Sequence, residues 1–152
     1  MIVYRLSRSI HAGDLSGKGA EKNGGRWNSK GTALIYTSET RSLCMAEIAV
    51  HTPLGKMPDD YELYCIEFPD QIKIHELDLK ILPADWNSIP HAHSTQKIGD
   101  AFTSDKKYLV MKVPSVIVMG EFNYLINPYH KDMAVVKIKT VEPFNFDSRI
   151  FR

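Results

Sequence analysis

The chain has 152 residues, 43% of them hydrophobic, and sets 19 Lys and Arg against 18 Asp and Glu. That length suits one self-sufficient domain, and a net charge of +1 supplies no global attraction to nucleic acid or an anionic membrane, so any anion site must be local. Two cysteines, Cys44 and Cys65, do not make a disulfide scaffold, no run approaches the ~20 apolar residues of a membrane span, and arginines interrupt the start "MIVYRLSRSI" where a signal peptide needs apolar residues, so a cytoplasmic protein is expected.

In "IVYRLS", Ile2, Tyr4 and Leu6 alternate with Val3, Arg5 and Ser7, which predicts a strand with Arg5 on the face opposite Tyr4. Residues 13–25 hold five of the nine glycines among polar residues and read as a flexible loop. "GRWNS" and "TALIYTS" then read as two short strands of a hairpin turning at Lys30 and Gly31. Over "SETRSLCMAEIAVH" the period becomes helical: Leu43, Ala46 and Val50 share one face and Met45, Ile48 and Ala49 another. A largely buried helix is expected, N-capped by Ser38 and stopped before Pro53.

"YELYCIEFP" and "QIKIHELD" alternate as strands, and a helix is expected around Gln96 to Phe102. The continuous apolar run "VPSVIVMG" reads as a buried strand with Ser115 near its start, and "MAVVKIKTV" as a last strand. Strands with a few helices predict an α+β fold, one domain over residues 1–152.

Several motifs fail on spacing. "GDLSGKG" is one residue short of a Walker loop and has Gly19 in place of the magnesium-binding hydroxyl, and Lys22 stands where a dinucleotide fingerprint needs its third glycine. His91 and His93 have no cysteine or carboxylate cluster to complete a metal site, and no metal is expected. Cys44, near Glu47 and His51, reads more readily as a small buried hydrophobe than as a nucleophile. Glu47 is the sharper anomaly, a carboxylate among Leu43, Cys44 and Val50 on an apolar helix. Burial there demands either a structural ion pair, with Arg5 or Arg26 as partner, or a chemical task.

Taken in order, "VYRLS", "GGRWNSKG", "LIYTSET", "CMAEIAVH", "QKIGDAF", "VPSVIV" and "NYLINPYH" resemble the RES-domain family, the toxins of RES–Xre toxin–antitoxin pairs. The resemblance covers nearly the whole chain. It implies an ADP-ribosyltransferase-like fold and an enzyme that takes NAD+ as substrate and needs no further cofactor. The expected reaction is cleavage of the nicotinamide N-glycosidic bond, with water or phosphate as acceptor, which depletes cellular NAD and arrests growth. Transfer of the ADP-ribose to a protein is the alternative. The resemblance places Arg26, Tyr36 and Glu47 in catalysis and Arg5, Ser115 and Asn127 in NAD binding. It also implies an Xre-family antitoxin that blocks the site in a hetero-oligomer, with no direct nucleic-acid contact by the toxin and no membrane.

These roles agree with the chemistry. Nicotinamide departs through an oxocarbenium-like transition state that a carboxylate such as Glu47 can stabilise. Guanidinium forks on Arg5 and Arg26 match the oxygens of a pyrophosphate. Tyr36 can stack on the nicotinamide ring, and Ser115 can bond a ribose hydroxyl or an amide. The glycines beside Arg26 would let the backbone approach the ligand while Trp27 anchors the segment in the core.

Overall fold

A computed structural model describes residues 1–152. Seven strands form one sheet: β1 (Ile2–Arg8), β2 (Ile35–Ser38), β3 (Tyr61–Glu67), β4 (Ile74–Glu76), β5 (Val110–Pro114), β6 (Phe122–Ile126) and β7 (Lys137–Phe144). Their order is β4-β5-β6-β2-β1-β3-β7, and only β4 and β5 run parallel. With three helices, α1 (Lys18–Asn23), α2 (Arg41–His51) and α3 (His93–Asp105), the architecture is α+β as expected.

The alternation in the strands sorts their side chains into separate cores. Val3, Ile35, Ile66, Val110 and Ile126 form one core on the first face of the sheet. On the second face, Met111, Val113 and Leu125 pack with Trp27, Leu34 and Phe102 of α3. Beside them, Leu6 and Leu63 pack with Cys44 of α2 and with Phe146 and Phe151 from the chain's end. Arg5 and Tyr4 fall on opposite faces, as the β1 pattern requires, since Arg5 pairs with Tyr64 and Tyr4 with Cys65.

The sheet has one thin join. β1 lies in register with β3 from Ile2 opposite Glu67 to Arg8 opposite Tyr61, yet it meets β2 at a single pair, Tyr4 opposite Ser38. The two strands diverge beyond that pair.

Several local expectations are corrected. The glycine-rich segment contains α1, and residues 24–29 form a turn closed by a Gly25–Asn28 bridge; the expected hairpin does not form, because β2 pairs with β1 and β6. The cap of α2 is Thr40, whose hydroxyl accepts the Leu43 N–H at 3.0 Å, while Ser38 belongs to β2. The helix does stop before Pro53, but only Leu43 and Cys44 are buried in it, and Val50 is 57% exposed. Its apolar surface is wider than the face that the sheet covers.

The largest shift concerns "VPSVIVMG". β5 lies upstream and ends at Pro114. The Ser115 hydroxyl accepts the N–H groups of Ile117 and Val118 at 3.0 and 3.1 Å, which turns the chain back into β6 and leaves Met119 at 98% exposure. Apolar composition marked the buried strand, but a side chain competing for backbone N–H groups ended it early. Likewise β7 starts at Lys137, because Met133–Val135 forms a 3-10 turn.

Candidate active site

The turn that carries Arg26 is fastened from several directions. Asn28 is fully buried, and its amide nitrogen donates to the carbonyls of Ala20 and Thr32 at 2.8 and 3.0 Å. The Tyr36 hydroxyl donates to Asn28 Oδ1 at 2.7 Å and accepts the Trp27 N–H at 3.0 Å. A Cβ on Gly25 would lie 2.7 Å from that hydroxyl, so the approach of Tyr36 by itself requires a glycine there.

From the other side, Gln96 of α3 donates to the carbonyls of Gly25 and Asn28 at 3.1 and 3.2 Å, and Asp100 accepts the Ser29 N–H at 2.9 Å. Positions 96, 99 and 100 share one side of the helix. Trp27 is buried beneath the turn, as expected. Arg26 projects from this frame, and its Nη1 donates to the carbonyls of Trp86 and Ser88 at 2.8 and 3.0 Å. One nitrogen of the fork is thereby fixed.

Glu47 arrives from α2, whose start is tied to β6: Glu39 Oε1 accepts the Phe122 N–H at 2.9 Å, and the Glu39 N–H donates to the Phe122 carbonyl at 3.2 Å. One residue further along β6, Asn123 Nδ2 donates to Glu47 Oε1 at 2.6 Å, and Asn123 Oδ1 accepts the Ser38 hydroxyl at 2.8 Å. Glu47 makes no ion pair with either arginine, so the structural pairing considered for it is absent.

Electrostatics joins the two parts. Burial raises the Glu47 pKa, opposed by the Asn123 hydrogen bond and by attraction to His51 and Arg26. Burial lowers that of Arg26, opposed by Glu47 and Tyr36. The Tyr36 phenol is pushed well above its ordinary value, chiefly by burial. Arg26, Tyr36 and Glu47 therefore share one electrostatic neighbourhood. Cys44, pushed up to about 12 by burial, is a protonated thiol at neutral pH and no nucleophile.

Arg5 approaches from the first face of the sheet. Burial lowers its pKa against the attraction of Asp14, Cys44 and Tyr64, and its Nε is buried with no hydrogen-bond partner. Such an orphan donor is costly unless a ligand satisfies it. The Cys44 thiol is influenced by both Arg5 and Glu47, but no hydrogen bond or ion pair joins Arg5 to Glu47, Arg26 or Tyr36.

Ser115 and Asn127 are placed differently. The Ser115 hydroxyl holds its own turn. Asn127 is fully buried, donates to the Thr103 carbonyl at 3.0 Å and accepts the Tyr129 N–H at 3.0 Å, which fastens the end of β6 to α3. No hydrogen bond joins either residue to Arg26, Tyr36 or Glu47, and both side chains have structural partners. His93 lies 3.1 Å from Gln96 at the start of α3. A separate cavity of about 220 Å³, lined by Lys73, Tyr108 and His130, shares no residue with the cluster.

The residues that sequence reasoning missed are Asn28, Ser38, Gln96, Asp100 and Asn123. The helix expected around Gln96 to Phe102 holds the signal that groups Gln96, Gly99 and Asp100, since positions i, i+3 and i+4 share a face. Nothing in the sequence paired Ser38 with Asn123, which depends on β2 lying beside β6.

A model of the RES domain matches residues 2–147. The chain belongs to the RES-domain family. Among RES relatives, a protein of Yersinia enterocolitica serotype O:8 named Toxin Res is 37% identical over 153 residues, covering 99% of each chain. A Sphingobium protein named Prs ADP-ribosylating toxin is 35% identical over 149 residues, covering 96% of this chain and 92% of its own. The fold is also that of a chain in the M. tuberculosis MbcT–MbcA toxin–antitoxin complex, with a TM-score of 0.75 at 21% identity, covering 99% of this RES chain and 86% of the other.

Proposed function

We propose that this RES domain is the toxin of a toxin–antitoxin pair and consumes NAD+ by breaking the bond between nicotinamide and ribose. The observation that carries the reading is the shared neighbourhood of Arg26, Tyr36 and Glu47, three side chains from separate parts of the chain, with Tyr36 on β2 and Glu47 held by Asn123 of the neighbouring β6. The full-length relatives named as toxins support the biological half of it.

In this reading Glu47 faces the ribose and stabilises the positive charge that develops as the glycosidic bond lengthens. The nicotinamide of NAD+ is already cationic and leaves neutral, so no group need protonate it. Arg26 offers its remaining N–H groups to the pyrophosphate, and Arg5 adds a second guanidinium. Tyr36 has its hydroxyl committed to the turn, so its contribution is the ring face. Ser115 and Asn127 act through the backbone they fasten.

Purified toxin incubated with NAD+ carrying label in its adenylate half decides the reaction. Cleavage leaves label only in small molecules, with ADP-ribose as product for water and ADP-ribose 1″-phosphate for phosphate. The Sphingobium relative's name favours a second reading, transfer of ADP-ribose to a protein, in which label stays on a macromolecule. A protein that neither consumes NAD+ nor labels any target in lysate overturns both.

The partner in this reading is an Xre-type antitoxin that covers the site in a hetero-oligomer; the antitoxin in the MbcT–MbcA complex supports it. NAD+ consumption should cease at saturating antitoxin. Undiminished turnover would count against a covered site.

A further inference from the structure

We infer that Asn123 is a positioning residue which, held by Ser38, aims the Glu47 carboxylate and sustains its ionised form. The catalytic part of the inference rests on the proposed role of Glu47. Its geometric part does not.

The chain of hydrogen bonds has a direction. A serine hydroxyl can donate or accept, but a carboxamide oxygen only accepts, so the Ser38 O–H donates to Asn123 Oδ1 at 2.8 Å. That bond fixes which end of the amide faces which neighbour. The NH2 end then meets Glu47 Oε1 at 2.6 Å, a donor set against the oxygen of a carboxylate, which when ionised only accepts. Reversed, the amide would set its oxygen against a carboxylate. Ser38 is 4% exposed and lies opposite Asn123 in the β2–β6 ladder, so backbone pairing holds both partners in place.

The arrangement matters because burial works against the Glu47 charge. The ionisable groups around the carboxylate are Arg26 from the turn before β2, Tyr36 from β2, and Cys44 and His51 from α2. Arg26 makes no ion pair with Glu47 and spends Nη1 on two carbonyls, and Cys44 and Tyr36 are neutral at physiological pH. Asn123 is thus the one group that donates a hydrogen bond to the carboxylate. A glutamate that must meet a developing cation needs both the charge and the aim.

The experiment combines a titration with kinetics. Carbon-13 NMR of side-chain-labelled glutamate, assigned with Glu47→Gln, follows Glu47 directly in wild type, Asn123→Ala and Ser38→Ala. The expected result is an upward shift of about one pH unit on loss of the amide donor and a smaller one on loss of the hydroxyl. In parallel, the acid limb of the pH profile for NAD+ consumption should move up by the same amount, with kcat at its plateau lower by roughly ten- to a hundredfold and KM little changed. Should Asn123→Ala fail to fold, Ser38→Ala carries both measurements.

An unmoved Glu47 titration in folded variants overturns the inference, whatever the enzyme does. A moved titration with an unmoved acid limb overturns its catalytic part. Wild type that consumes no NAD+ and labels no protein overturns the proposed reaction instead, while the titration still decides what Asn123 does to Glu47.

Discussion

Gly99 of α3 lies against the backbone of Trp27: a Cβ added at position 99 would stand 1.6 Å from the Trp27 carbonyl oxygen. No side-chain rotation relieves that overlap, because both groups belong to the main chain. Gly99→Ala must therefore push α3 away from the turn that carries Arg26, loosening the Gln96 and Asp100 contacts with it. The expected cost is roughly 3 kcal/mol, the upper end of ordinary overpacking, read as a lowered urea midpoint. NAD+ turnover should fall even in the fraction that remains folded.

Arg26→Lys separates charge from shape. Lysine keeps the positive charge but replaces a planar fork with a single ammonium, which cannot donate to both loop carbonyls and also grip a pyrophosphate through parallel bonds. kcat/KM is expected to drop by roughly ten- to a hundredfold, chiefly through a raised KM, because the pyrophosphate is held alike in the ground and transition states. Circular dichroism and thermal midpoint should change little, because the guanidinium holds only the loop carbonyls of Trp86 and Ser88 and lies outside the hydrophobic cores.

Glu47→Gln should abolish growth arrest while making the protein more stable. Glutamine can still accept the Asn123 N–H, so the hydrogen-bonded shape survives without the buried charge. The sign follows from linkage: the Glu47 pKa is raised above 4.5 in the folded state, so the folded form binds its proton more tightly than the unfolded form does. Wild-type stability therefore falls as pH rises from 4.5 through the folded pKa and stays lower above it. The variant lacks that fall. Its thermal midpoint should exceed wild type at pH 7 to 8, and the gap should close toward pH 4. A variant less stable than wild type at neutral pH would contradict the raised pKa.

Tyr36→Phe keeps the ring and removes the hydroxyl that accepts the Trp27 N–H and donates to Asn28. A half-buried backbone donor and a buried amide oxygen lose their partner together, at an expected cost of about 1–3 kcal/mol. If the ring face serves nicotinamide, KM should rise less than stability falls, and isothermal denaturation beside Michaelis kinetics gives the two numbers.

Much of this was legible in the residues. Period-two alternation located β1 and β3, and period 3.6 located α2, because each buries one regular face. Motif order identified the family, and the domain model then matched residues 2–147. What escaped had one local cause and several long-range ones. A serine hydroxyl capturing two N–H groups turned an apolar run into a hairpin end, and the partners of β2 could not be read from its four residues. The resemblance places Ser115 in NAD binding, and in the structure its hydroxyl accepts two N–H groups of its own turn while its O–H is left to donate. Asn123 was invisible because its importance comes from facing Ser38 and Glu47, which lie 85 and 76 positions away in the chain.

The single Tyr4–Ser38 rung between β1 and β2 has an energetic consequence. Cohesion across a sheet is shared among its ladders, so the ladder with one rung is the least costly place for a local opening. The proposed site draws Arg5 from one side of that seam and Tyr36 from the other. Dilute denaturant should therefore silence the toxin before it unfolds the chain, with amide exchange at Ser38 rising ahead of that in the β1–β3 ladder. The seam that opens most readily would then be the one that the proposed NAD+ site straddles.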